Sequence, residues 1–273
     1  MAAASTESAP VKPRPRYNVV IPTKHGMMIV NRNDSVGEGA ERYGVGYDLM
    51  ETGEYVPGEL TELRRLLGLC KGDPVILDIG ANIGVHTLFF SELAGPRGRV
   101  HAFEAQRIVF QMLMGNLALN SIENVHGHHV ALGGAPGELA LPALDYAKPA
   151  NFGGISLAAG QASAGGETVP VITLDSLKLE RVDFIKLDVE GMEEQVLRGA
   201  RRTLDVNRPL MQVEWLGAHG PALPLYLLEH LDYKVFQAGM NLLCIPMERA
   251  GGSTFDDLTE VRADGLKQLF KSP

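Results

Sequence analysis

Several things that would narrow the field are scarce or missing. The 273-residue chain has two cysteines, Cys70 and Cys244. They stand far apart and in no C-x-x-C pair, which argues against a disulfide framework or a zinc site. Positive charge is in deficit: 25 Lys and Arg against 33 Asp and Glu leave a formal net charge of −8. A nucleic-acid partner would call for a basic stripe instead. No apolar run approaches the ~20 residues needed to span a bilayer. Residues 1–16, MAAASTESAPVKPRPR, lack the apolar core of a signal peptide, and Glu7 counts against a transit peptide. They read as a disordered leader on a cytoplasmic protein. Two phosphate-binding loops are also lacking, since neither G-x-G-x-x-G nor a Walker lysine is present.

What is there starts with residues 75–84, VILDIGANIG. A short apolar run rich in β-branched residues ends in a loop with glycines at 80 and 84. That is a buried strand feeding a tight turn, where glycine lets backbone and ligand approach closely. The segment HTLFFSELAG then reads as an apolar helix. Strand, glycine turn and helix form the first unit of a nucleotide-binding α/β fold. With Asp78 before the first glycine and Asn82 at its crown, the loop suits a ligand carrying an ammonium and a carboxylate. S-adenosylmethionine (SAM) has both groups and no phosphate.

The remaining chain alternates strands and helices. Residues 17–32 read as two short strands around a turn at Lys24-His25-Gly26. Residues 34–57 read as loops and short helix, and 58–70 as a helix. Strands are expected at 75–79, 99–105, 125–131, 183–188 and 209–215, with helices at 84–94, 106–120, 193–205 and 222–231. A Gly-, Ala- and Pro-rich stretch, 133–170, interrupts this rhythm as a strand-turn-strand excursion beside the ligand site. Segments 233–238 and 241–247 form a closing hairpin. The expected division is a leader (1–16), an N-terminal extension (17–72), a SAM-binding domain (73–250) and a charged tail (251–273) with a short helix. The fold class is α/β, with a mostly parallel seven-stranded sheet, an antiparallel closing hairpin and a small N-terminal β/α extension. It resembles the Rossmann-like sheet of class I SAM-dependent methyltransferases.

In such sheets ligands gather at the carboxyl ends of the strands. Glu104 ends the second strand of the alternation, 24 residues after Gly80. That is close to the ~20-residue spacing at which an acid grips ribose hydroxyls. Asp78 is read both as an attractor of the SAM ammonium and as a structural acid of the turn. Ala81, Thr87 and Ala105 belong to the same candidate cofactor set, and adenine is expected near Ala131 and Leu132. A second informative stretch, FIKLDVEGMEEQVLRGA, places Asp188 and Glu190 at the end of a central strand. Glu214 stands at the corresponding end of the next strand, with His219 shortly after. Methylating a hydroxyl requires removal of its proton, so these residues are candidates for a general base. Equally, three carboxylates and an imidazole suit Mg²⁺ or Mn²⁺. The competing account of Glu190 is that it caps its helix, and His219 is better explained as a loop histidine.

The two stretches together resemble the FkbM family of SAM-dependent methyltransferases. The matching residues are DIGANIGVHT (78–87), AFEA (102–105), NLALN (116–120), NFGGISL (151–157), TLDSLKLERVDFIKLDVEGMEEQVLRGA (173–200) and the later VEW. The resemblance implies O-methylation of a sugar, glycolipid or polyketide-type acceptor. It maps Asp78, Gly80, Asn82, Gly84 and Glu104 to the SAM site, and Asp188 and Glu190 to an acidic motif beside the acceptor. One departure is visible: Ala105 stands where the family usually has proline.

Other residues are explained without function. Met112 and Met114 read as core filler in an apolar helix. His126 and His128 share one strand face and His129 the other. His86 opens the first helix and could touch a ligand or only line the helix start. Asn151 suits either an acceptor contact or a turn. Trp215 suits either stacking on a sugar or packing. Two other functional classes stay open: an NAD-linked oxidoreductase and a non-catalytic SAM-binding protein. Acceptor identity, metal dependence and oligomeric state are not legible.

Overall fold

A computed structural model of the protein describes residues 17–155, 165–251, 255 and 257–270. The leader and part of the insert fall outside the described residues. In chain order the strands are β1 (Asn18–Thr23) and β2 (Gly26–Asn31), followed by helices α1 (Val45–Thr52) and α2 (Pro57–Leu67). Then come β3 (Val75–Ile79), α3 (Val85–Ala94), β4 (Arg99–Phe103), α4 (Arg107–Leu119) and β5 (Val125–His128). The insert carries β6 (Ala131–Leu132), β7 (Gly137–Leu141) and β8 (Glu167–Ile172). The chain continues through β9 (Phe184–Leu187), α5 (Glu193–Arg198), α6 (Arg201–Asn207), β10 (Leu210–Glu214) and α7 (Ala222–Glu229). It closes with β11 (Tyr233–Ala238), β12 (Asn241–Pro246), β13 (Thr259–Val261) and α8 (Ala263–Leu269).

The main sheet has the order β13-β11-β12-β10-β9-β3-β4-β5. Its five central and right-hand strands are parallel, and β12 joins β10 antiparallel through the expected hairpin. This is the mostly parallel α/β arrangement expected from the sequence, with the crevice at the carboxyl end of β3. Both faces are covered, so β3 and β9 are buried and apolar on both faces apart from Asp78 and Lys186, instead of alternating. Leu77, Ile185 and Met211 pack with Val196, Leu204 and Leu227 from α5, α6 and α7. Their strand neighbours Ile76, Phe184 and Leu210 face the opposite way, onto Leu63 and Leu66 of α2 and Phe90 of α3.

Three features differ from expectation. The sheet has eight strands, not seven, because β13 in the charged tail pairs antiparallel with β11. Only Val261 of its three residues is buried, so it carries no alternation to read. The helix expected over 193–205 is two helices. Gly199 lies so close to the Gly133 carbonyl that a Cβ would stand 2.0 Å from its oxygen. Asp175 then accepts from Arg202 N and Thr203 N, both at 2.8 Å, and starts α6 afresh. Finally, β5 stops at His128, and Ala131 belongs instead to a three-stranded sheet, β6-β8-β7. That sheet is the expected excursion.

The N-terminal hairpin is latched to α4 by side-chain amides. Asn116 Oδ1 accepts from Ile29 N at 2.6 Å and its Nδ2 donates to Ile83 O at 2.8 Å, while Asn120 Oδ1 accepts from Met27 N at 2.9 Å. Asn116 is fully buried, so its amide satisfies backbone groups that would otherwise be unpaired.

Candidate active site

The glycine turn continues the sheet before it leaves it. Gly80 N and Ala81 N both donate to Phe103 O, at 3.0 and 2.9 Å. Gly80 has φ 81°, and a Cβ there would stand 1.7 Å from the Asp188 carbonyl oxygen. Only glycine permits this conformation and this approach. Asn82 also takes a left-handed conformation, φ 51°; its Oδ1 accepts from Ile83 N at 2.7 Å. Asparagine tolerates that geometry better than most residues.

Glu104 ties the turn to the next strand. Its Oε2 accepts from Asn82 N at 2.9 Å and its Oε1 from Gln106 N at 2.7 Å. Burial pushes its carboxyl up to about 7, against the pull of those two N–H groups. Asp78 is fully buried behind the turn, where Thr87 Oγ1 donates to its Oδ2 at 2.5 Å and Lys186 Nζ stands 4.0 Å from its Oδ1. Gly84, φ 94°, sits so close to Leu113 that a Cβ would be 2.6 Å from its Cδ1.

One cavity of about 270 Å³ opens beside this turn. Gly80, Ala81, Asn82, Glu104, Ala105 and Ala131 line it. Asp78, Gly84 and Thr87 stand behind the lining and support it. On the other side are Asp188, Glu190 and Glu214, whose carboxylate oxygens lie within 4.8 Å of one another. Burial, then Asp188 and Glu193, pushes Glu190 up to about 7. Burial, then Asp188 and Glu190, raises Glu214 as well. Like charges this close cannot all ionise freely. Glu190 has φ 53°, and α5 has no side-chain cap bond at its N-cap, Met192; the loop before the helix is braced by Glu193. Its Oε1 accepts from Val189 N at 3.0 Å and Gly191 N at 3.2 Å. The backbone of His219 closes a 3-10 turn, Gly217–His219; its side chain lies outside what is described.

Two charged residues that line the cavity were not foreseen. Lys186, in the middle of β9, is 3% exposed and donates to Asp188 Oδ2 at 2.9 Å and Gly80 O at 3.4 Å. Burial would lower its ammonium, but Asp188, Asp78 and Glu59 together raise it. A lysine inside an apolar strand was the available signal. Glu59, from α2, reaches His86 Nε2 at 3.0 Å and accepts from Gln212 Nε2 at 2.8 Å. Burial alone would raise it; His86, Lys186 and Gln212 pull it down to about 2. Nothing in GELTELRRLL marked it.

Other singled-out residues take plain roles. Trp215 is buried and donates Nε1–H to Gly220 O at 2.9 Å, so it packs. Asn151 lines the cavity and also closes a turn, accepting from Gly154 N at 3.0 Å. His101 and His128 stack and meet at 3.1 Å through their ring nitrogens. Burial, then His128 and His126, pushes His101 down to about 4. Met112 is buried as core filler, whereas Met114, read as core filler too, is exposed, with its sulfur beside Gly127.

A model of the methyltransferase FkbM domain matches residues 78–242, more than half of the chain. The chain belongs to the FkbM methyltransferase family. Within reach of this family are methyltransferase 1 of Beauveria bassiana, 30% identical over 150 residues, covering 46% of this chain and 58% of that protein. The hexuronic acid methyltransferase AglP of Haloferax volcanii is 29% identical over 170 residues, covering 57% of this chain and 62% of its own length. The chain thus spans about three-fifths of these curated relatives. A crystal structure of methyltransferase FkbM from Methylobacillus flagellatus aligns at 20% identity and TM-score 0.48, over 65% of this chain and 45% of that one. In the FkbM stretch of this chain, the glycine turn and the acidic cluster are the two ends of one cavity. No helix among the described residues is long and apolar enough to cross a membrane.

Proposed function

We propose that the protein is a SAM-dependent O-methyltransferase acting on a hydroxyl of a sugar, glycolipid or polyketide-type small molecule. One observation carries this reading: a single cavity joins the glycine turn and Glu104 to the carboxylates of Asp188, Glu190 and Glu214. SAM supplies, when bound, an electrophilic methyl group on a sulfonium. Gly80, Ala81, Asn82, Glu104, Ala105 and Ala131 would hold it, with Asp78, Gly84 and Thr87 fixing the turn from behind. Glu104 uses one lone pair of each oxygen on backbone N–H groups, and a carboxylate offers about four such sites. It can therefore still accept from ribose hydroxyls. The donor set does not suit a pyrophosphate. Lys186 is the one Lys or Arg among the described residues lining the cavity, and Asp188 already engages it. That disfavours an NAD-linked reaction.

For the acceptor, Glu190 stands near neutrality, where a general base is most effective. Glu214 lies beside it, and Lys186 holds Asp188 in place. His219 follows Glu214 in the chain and completes the candidate set by position. The acid-rich lining favours a neutral acceptor over an anionic one.

A divalent cation is a second reading, favoured by the mutual proximity of the Asp188, Glu190 and Glu214 oxygens. Three oxygen ligands suit Mg²⁺ or Mn²⁺. Calorimetric titration with SAM and S-adenosylhomocysteine (SAH), each with and without Mg²⁺, tests both readings. Micromolar binding that weakens about tenfold or more in Glu104→Ala is expected. Tightening by Mg²⁺ would favour the metal reading. No binding of either ligand to folded protein would sink the methyltransferase reading.

A further inference from the structure

We infer that Asp34 is a positioning residue whose carboxylate clamps together the two walls of the cavity's acceptor side. The inference takes its functional meaning from the methyl-transfer reading, while its geometry stands independently. One wall comes from the N-terminal extension: Tyr43, Gly44, Val45 and Asp48 line the cavity. The other comes from the insert, with Asn151, Gly153 and Gly154. Over a hundred residues separate them in sequence. Asp34 lines neither wall and is 3% exposed. Its Oδ2 accepts from Gly46 N at 3.0 Å, and its Oδ1 accepts from Phe152 N at 3.1 Å. One carboxylate therefore holds one backbone amide from each wall.

The surrounding chain makes this clamp tight. Asp34 O accepts from Tyr47 N at 3.1 Å, and a Cβ on Gly44 would stand 2.5 Å from that same oxygen. On the insert side, Ser35 N donates to Ala150 O and Ala150 N to Asn33 O, both at 3.0 Å. Phe152 O in turn accepts from Gln106 Nε2 at 2.7 Å, which ties the insert wall to the segment after Glu104. Gly153 lies over the glycine turn, close enough that a Cβ would be 2.4 Å from Asn82 Nδ2. The Asp34 bond therefore acts with these backbone bonds and Gln106 in setting the insert wall over the turn, and it alone also reaches Gly46 of the other wall. No cation is bonded to this carboxylate in the contacts described; backbone amides hold it, so its two acceptor oxygens are used for geometry.

The test uses the full chain with Asp34→Ala, which removes both acceptors, and Asp34→Asn, which keeps one and is the milder change. Amide hydrogen exchange is followed at 44–48 and 150–155, with β3 and β9 as internal references. Association and dissociation of SAH are followed alongside. Exchange at Gly46 and Phe152 is expected to rise about tenfold or more in Asp34→Ala, with β3 and β9 unchanged. Asp34→Asn should fall between the wild type and Asp34→Ala. SAH should both enter and leave faster, with its Kd moving less than either rate. Unchanged exchange in the two walls would overturn the clamp. A rise spread equally over β3 and β9 would make Asp34 a general stability residue and overturn the positioning role. So would loosened walls with unaltered SAH rates. Failure of the wild type to bind SAH would count against the cofactor reading, while the exchange data would still decide whether the clamp exists.

Discussion

The two sides of the cavity, proposed above as the cofactor side and the acceptor side, are built in opposite ways. The cofactor side is local: β3, the glycine turn and the end of β4 lie within about thirty residues, and Glu104 bonds an amide only 22 positions away. The acceptor side is remote: Asp34 reaches 118 positions to Phe152, and Glu59 reaches 153 to Gln212. A local site can be carried as one motif, whereas a remote one exists only once the whole sheet has formed. The local side should therefore tolerate substitution least, and the remote side should accommodate change. Loops over a fixed scaffold are where specificity can vary without loss of the fold.

The strongest way to break this contrast is Gly80→Ala. The new methyl would have to share space with the Asp188 carbonyl in a left-handed backbone conformation. Conformational strain and overpacking each cost roughly 1–3 kcal/mol, so a loss of about 2–6 kcal/mol is expected. Urea unfolding of the purified variant measures it. A loss below about 1 kcal/mol would mean that the turn is far softer than the geometry implies.

A smaller effect is expected from the charge at the boundary between the two sides. Glu190 is raised in the folded protein to about 7 from an ordinary value of 4.5. Between those values the folded chain binds more proton than the unfolded one, so stability falls as pH rises. Its contribution is fully present below the unfolded value and lost as pH passes the folded one. Glu190→Gln removes that loss. Thermal melts of the two proteins should diverge from pH 5 to pH 8, with the variant gaining on the wild type at the higher pH. Glu104 and Glu214 titrate in the same direction; the difference between the two proteins removes the share of Glu104, while Glu214, which Glu190 itself raises, is relieved in the variant and adds to its gain. Parallel melting curves would show that Glu190 is not under the strain described.

How much of this was legible follows the same division. The parallel strands, the hairpin and the glycine turn could be read because each is written in contiguous residues with apolar runs and turn signals. Asp188, Glu190 and Glu214 could be read because strand ends are identifiable and acids there are unusual. Lys186 was visible as an anomaly in an apolar strand, yet its bond to Asp188 needed coordinates. Glu59 and Asp34 carried no signal, since one sits on an ordinary amphipathic helix and the other in an aperiodic loop. The break between α5 and α6 was hidden for a related reason. Asp175, which starts α6, lies 27 residues before the amide it binds.

The smallest predicted effect tests the tolerant side directly. Asn151 lines the cavity, but its described bond is a turn bond to Gly154 N in an exposed setting. Losing an exposed bond of this kind costs about 0.5–1 kcal/mol at most, because water replaces the partner. Asn151→Ala should therefore leave urea unfolding nearly unchanged and SAH affinity within about twofold. Any change should instead be felt in the KM for the acceptor, since the side chain stands on the insert wall, which the proposed reading gives to the acceptor side. If Asn151→Ala lost as much stability as Gly80→Ala, the insert would be part of the rigid core. The division into a fixed cofactor side and an adjustable acceptor side would then have to be abandoned.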